Sequence, residues 1–392
     1  MKYWFLLCTS LLISAGLSFE EEPFYEPVEA EIPDFHFPAS TKSASILPEE
    51  TEAVISVEQN AQESPQNLTS KPSFQDKSID EQRTSFPVTI EGDFLYLKAN
   101  EEGLNYAFQD NNLDVDSPPF PYTVIGPLAM IKPDYQPGFR LSATGCLPYD
   151  QWDISASWLR YTTTTNSAQP DQSGTLTWFY FAFEEDDEIG QGASAQWQLH
   201  LNTIDCTLGR EIALSKHLSS KPHIGFIASW IHQKFDTTLL QPSDGLFILV
   251  GNEIITQCKN NFNGYGISLG CDTNWRLGKG WSLLFNARGA LLSGHFSLGT
   301  IAKLDGSTYS DLVFQGNTLI APMIEAFGGV EWKMKLEGTP CHLSLRAGWE
   351  QQIWFQQNQI SIPLDLVNTG DLFNQKGTLS LSGVNASLTV SY

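Results

Sequence analysis

The chain has 392 residues and a formal net charge of −23, from 45 acids against 22 lysines and arginines. That balance excludes a nucleic-acid binder, whose affinity rests on Lys and Arg neutralising phosphates. No apolar run is long enough for a membrane helix, because the best, 283–292, is broken by Asn286 and Arg288.

The N-terminus reads as an export signal. Lys2 supplies a positive start, residues 3–17 are largely apolar, and Gly16 and Ser18 are small residues suited to cleavage. Residues 1–18 are therefore expected to be a signal peptide, with Glu20, Glu21 and Glu22 opening the mature chain. Cys8 lies inside the apolar stretch and is poorly placed for lipidation. From 19 to 86 the composition changes to Glu, Pro, Ser and Gln, with fifteen acids against Lys42, Lys71, Lys77 and Arg83. Such a segment cannot bury enough surface to offset its chain entropy, so it is expected to be disordered and periplasmic.

From 87 to the end the period is two. Alternating runs fall at 88–99, 138–147, 152–163, 195–212, 223–235, 262–277, 281–298, 322–336, 342–355 and 378–392. Many have the length a tilted strand needs to cross a bilayer. Leu104, Tyr106 and Phe108 alternate between the first two runs, and a further hairpin there would raise ten strands to twelve. Connections at 148–151, 213–222, 278–280 and 337–341 are short. Those at 100–137, 164–194, 236–261, 299–321 and 356–377 are long. Outer-membrane barrels segregate loops in this way, with short periplasmic turns and long outer loops.

Face assignments agree. Ile324, Ala326, Gly328, Val330, Trp332 and Met334 oppose Glu325, Phe327, Glu331, Lys333 and Lys335, and Phe139, Leu141 and Ala143 oppose Arg140, Ser142 and Thr144. Trp152, Trp275, Trp281, Trp354 and Tyr392 sit near run ends, as interfacial girdles require. One run is irregular. Trp197, Leu199 and Leu201 share a face, whereas Ile204, Cys206 and Leu208 share the opposite one. That implies a bulge near Thr203, or a strand that runs past the membrane. The last nine residues close the pattern: Val384, Ala386, Leu388, Val390 and Tyr392 face one way, Asn385, Ser387, Thr389 and Ser391 the other. The expected fold is an all-β, transmembrane, antiparallel up-and-down β-barrel over 87–392, preceded by the disordered segment.

The segment 91–99, EGDFLYLKA, resembles the opening strand of pore-forming outer-membrane proteins of Legionella and chlamydia-like bacteria, the family like the major outer-membrane protein. Further matching segments are 137–140, 209–211, 272–275 and 349–354. The resemblance covers about 88–392 and leaves out the acidic segment. It implies an outer-membrane location and pore formation, and no particular solute. Its motifs are strand patterns, with no catalytic signature among them.

A pore needs no catalytic residue, because selectivity comes from lumen charge and radius. The side chains expected to line it are Arg140, Asp153, Asp272, Arg276, Arg288, Glu325, Glu331, Arg346 and Glu350. Both signs facing water would set up a transverse field; the alternative is that they pair and plug the barrel. No GxSxG or HExxH pattern occurs, so no enzyme, metal or cofactor is expected. Cys146, Cys206, Cys258, Cys271 and Cys341 remain after export. An odd count suggests a free thiol or an intermolecular disulfide in a homo-oligomer. The expected partners are outer-membrane lipid, small hydrophilic solutes, and the barrel-assembly machinery acting on the Tyr392 end. A closed structural or adhesive barrel, binding a partner through its long loops, is the competing reading.

Overall fold

The computed structural model describes residues 88–110, 128–147, 150–170, 176–178, 189–190, 192–240, 253–363, 372–374 and 376–392. The expected signal peptide and acidic segment lie outside the described residues. Ten strands form a closed antiparallel sheet in nearest-neighbour order. They are β1 (Val88–Glu101), β2 (Tyr135–Cys146), β3 (Trp152–Pro170), β4 (Gly192–Arg210), β5 (Leu218–Leu240), β6 (Glu253–Gly278), β7 (Trp281–Leu304), β8 (Ser307–Lys335), β9 (His342–Asn358) and β10 (Gly377–Ser391). Closure is made by β1 and β10, which pair from Thr89↔Ser391 to Glu101↔Leu379. Val88 and Tyr392 exchange backbone hydrogen bonds at 3.1 and 3.0 Å. No edge among these strands is left to pair elsewhere, which backbone in lipid requires.

The barrel has ten strands, not twelve. The hairpin expected around Tyr106 exists, as Asn105–Asp110 against Leu128–Met130, but in a separate four-stranded sheet with Leu176–Trp178 and Ile189–Gly190. The long connection expected at 299–321 is also revised. β7 and β8 continue through it as paired strands and meet at a two-residue turn, Asp305-Gly306, with φ of 46° and 79°. Positive φ at both positions matches the right-handed twist of the flanking strands, and Asp-Gly is a sequence that tolerates it. The connections 102–134, 171–191, 241–252 and 359–376 keep the long spacing, all at the same end of the barrel as this turn.

The strands are far longer than a bilayer needs. β8 has 29 residues where roughly 9–11 suffice to cross. The irregular run is explained by that length. β4 pairs with both neighbours without any register shift, so there is no bulge at Thr203. Its odd residues face inward throughout, and the environment changes around them. Leu208 on the outer face is exposed in the apolar half, while Trp197, Leu199 and Leu201 on the inner face are wholly buried in the other. The strand runs past the membrane, and the apolar residues change sides where lipid ends.

Two joints lock the interior. The Phe262 ring lies over the cross-strand pair Gly264 and Gly294, where an added Cβ on Gly294 would come within 2.1 Å of the ring. Phe327 covers the pair Gly329 and Gly348 in the same way, with a Cβ at either placed 2.7 Å from the ring. Only glycine leaves room for an aromatic face flat on the sheet.

Candidate functional site: the charged layer and apolar plug of the bore

The inner face of the apolar-walled half carries a connected ion-pair layer. Arg140 on β2 is central. Its guanidinium grips Glu350 at 2.6 and 3.2 Å, reaches Glu325 at 3.1 Å, and touches Asp93 at 3.4 Å. Arg288 on β7 bridges Asp205 at 2.6 Å and Glu325 at 2.5 Å. Arg346 on β9 pairs with Glu91, donates to the Ser387 hydroxyl at 2.8 Å, and lies over the Phe327 ring at 5.0 Å. The planar fork of arginine suits such shared, two-carboxylate contacts better than lysine would. The Asn385 amide donates to Glu350 at 2.6 Å, and Gln352 donates to the same carboxylate at 2.6 Å.

Because Arg140 and Glu325 stand on β2 and β8, this contact spans the bore rather than running along the wall. Three guanidiniums serve five carboxylates (Glu91, Asp93, Asp205, Glu325 and Glu350), so the layer carries an acidic excess. A cavity of about 270 Å³ adjoins it, lined among others by Ser142, Ser155, Thr207, Lys221, His223 and Asp272.

Of the nine expected lining residues, Arg140, Arg288, Glu325, Arg346 and Glu350 meet in this layer. Asp153 pairs with Lys221 at 3.2 Å and Asp272 lies 3.8 Å from His223, both nearer the rim. Glu331 accepts from Ser344 at 2.6 Å and from Asn274 at 3.3 Å. Arg276 lies at the mouth, 60% exposed against Glu211, and not in the bore. Sequence reading missed Glu91, Asp93 and Asp205. Asp93 and Asp205 alternate in step with apolar inner-face neighbours, Leu95 and Leu201, which disguised the face.

Beyond the charges, the bore is filled. Leu95, Leu97, Trp197, Leu199, Leu201, Ile227, Ile231, Phe296, Leu379 and Leu381 belong to a single buried cluster and are at most 1% exposed. The connection after β1 contributes Leu104, Tyr106 and Ile131 to the same cluster, and the Tyr106 hydroxyl bonds Ser167 at 2.9 Å. Trp197 donates its indole N–H to Gln233 at 3.1 Å, which satisfies the polar edge of the ring. Cys258 is buried here and hydrogen-bonded by Thr300 at 3.7 Å, and burial pushes its thiol up to about 11. Such a thiol is inert.

The outer face matches a membrane at the charged half. Trp275, Trp281 and Trp332 ring one end, and Tyr96, Tyr135, Trp158, Trp230 and Tyr265 the other, with Ile224, Phe226, Ile267, Leu269 and Phe285 exposed between them. Aromatic belts of this kind mark the two interfaces.

The family described as Legionella pneumophila major outer membrane protein precursor matches residues 80–391. The chain belongs to this family. It is an outer-membrane β-barrel protein. Among solved structures, the outer membrane protease OmpT from Escherichia coli is similar at 12% identity and TM-score 0.33, covering 79% of this chain and 98% of that one. A Pseudomonas aeruginosa FadL homologue is similar at 10% identity and TM-score 0.25, covering 79% and 90%. The Pseudomonas putida toluene transporter TodX has 9% identity and TM-score 0.19, covering 79% and 90%. No curated protein matches the chain.

Proposed function

We propose that this family member is a closed structural barrel of the outer membrane, a lipid-embedded scaffold that holds its long connections at the cell surface. The observation that carries this reading is the apolar plug: side chains at or near zero exposure from β1, β3, β4, β5, β6, β7, β8, β9 and β10 meet across the bore. A hydrated pathway needs polar walls throughout, and ions do not cross a dry constriction of this kind. The scaffold needs no catalytic group, metal or cofactor.

The second reading is a passive pore for small hydrophilic solutes, which the family resemblance implies. The charged cavity on the short-turn side favours it, because a vestibule with excess carboxylate would collect cations if the plug moved aside. Conductance of the refolded barrel in a planar bilayer decides. A closed scaffold gives no steady conductance at low voltage, whereas an ohmic, cation-selective current from the wild-type protein would replace the scaffold with the pore.

A further inference from the structure

Three rows of outer-face side chains lie directly past the upper aromatic belt on β3 to β7. The first runs Arg160, Asn202, Trp230, Asn263, His295; the second Thr162, His200, His232, Asn261; the third Thr164, Gln198, Lys234, Lys259. In a chain of net charge −23, these rows contain no acid. The nearest, Asp236, is one step further out and is held by Lys234 at 2.8 Å.

The pairing within the rows is unusual. His200 stands directly opposite His232, and Lys234 directly opposite Lys259. Directly opposed side chains in an antiparallel sheet have Cβ atoms about 5 Å apart, and like charges there repel. Burial and the adjacent His232 and Arg160 hold His200 below its ordinary pKa. An anion seated between the paired cations would reverse both effects. The depth of the rows identifies the anion. They begin at the level of Trp158, Trp230 and Tyr265, where the acyl region gives way to headgroups.

We propose that Arg160, His200, His232, Lys234, Lys259 and His295 form a binding site for the phosphorylated headgroup of an outer-leaflet glycolipid. Arginine and lysine supply charge-assisted hydrogen bonds to phosphate oxygens. His200, held below its ordinary pKa while the site is empty, takes up a proton as the phosphate arrives, so binding tightens as pH falls through the ordinary histidine range. Lipid held on this side of the barrel would fix its tilt and height in the leaflet.

The probe is purified bisphosphorylated lipid A, added to the refolded full-length barrel in neutral detergent. The reading is the temperature at which the folded, fast-migrating band converts to the unfolded one on a gel. Lipid A raises that temperature, and its dephosphorylated counterpart or inorganic phosphate does not. The triple variant Arg160→Gln, Lys234→Gln, Lys259→Gln weakens the apparent affinity by tenfold or more, on the order of one or two charge-assisted bonds. Lys98→Gln, on the outer face of β1 and separated from β3 by β2, leaves it unchanged. Equal protection by the dephosphorylated lipid or by phosphate alone overturns the proposal, as does an undiminished response in the triple variant. The wild-type comparison stands by itself if the triple variant does not assemble, and conductance is scored separately, so a pore result leaves this test intact.

Discussion

The membrane half and the outer half of the barrel are made by the same strands in the same register, yet their faces are exchanged. On β5, Ile224, Phe226 and Trp230 point outward below, with Lys221 and His223 inward; further along, His232, Lys234 and Asp236 point outward and Ile231, Phe235 and Leu239 inward. The backbone does nothing at the crossover. What changes is the solvent outside: lipid rewards apolar side chains on the wall, and water drives them into the bore. The lower half behaves as a membrane barrel with a salt-bridged interior, the upper half as a water-soluble barrel with an ordinary core.

A charge placed in the upper core has the largest expected effect on this division of faces. Leu199→Asp buries an unpaired carboxylate among residues that have no exposure, and the expected cost is about 4–5 kcal/mol, enough to abolish assembly or melt the outer half. Heat-modifiable mobility and denaturant unfolding check it. If Leu199→Asp is tolerated, the upper bore is wet and the scaffold reading fails with it.

Breaking the lower interior should cost somewhat less. Arg288→Ser with Arg346→Ser strips partners from Glu91, Asp205 and Glu325, and removing one side of a buried pair costs about 3–5 kcal/mol. The adjoining cavity lets water moderate that penalty, so the lower end of the range is expected. With the apolar plug intact, the double variant loses stability without gaining conductance. A cation-selective current from it would show instead that the charged layer alone seals the bore.

Third in size is a charge on the wall. Phe226→Arg places a cation in the lipid belt and costs about 2–4 kcal/mol, falling toward zero near the interface. Thr238→Arg, on the same face of β5 but above the belt, is expected to be neutral. Unfolding of both variants in lipid vesicles maps where the membrane ends, and equal costs would remove the boundary that separates the two halves.

Fold class, closure by the last strand and the inward aim of Arg140, Arg288 and Arg346 were legible because alternation survives in any environment. The exchange of faces was half legible: the switch in β4 near Thr203 was visible, but a bulge and a strand outrunning the membrane leave the same trace in one strand. Reading β5 and β6 beside it, where the switch recurs without a phase break, separates them. The turn at Asp305-Gly306 was also readable, since Asp-Gly between alternating runs signals a hairpin, and the expectation of a long outer loop hid it. The filling of the bore was not legible. It depends on which side chains meet across the ring, as Arg140 meets Glu325 from β2 to β8, and no spacing along the chain encodes that.

The smallest effect tests the polar exception inside the upper core. Glu101 lies on the inner face of β1 beyond the belt, where its outer neighbours are Lys98 and Asn100. Its carboxyl is buried beside the Gln233 amide. Burial raises its pKa well above the ordinary carboxylate value, the Gln233 amide offsets part of that, and Glu102 nearby adds to the rise. The folded barrel therefore holds a proton that the unfolded chain releases near pH 4.3. The stability contributed by the neutral acid is complete below that pH, declines as pH rises above it, and is lost once the folded group itself ionises. Glu101→Gln keeps the shape and removes the charge. Its unfolding midpoint should match wild type at pH 4 and exceed it at pH 8, by less than any change above. A variant that tracks wild type at both pH values would mean that the Glu101 carboxylate is already solvated, and that water enters the upper half along β1.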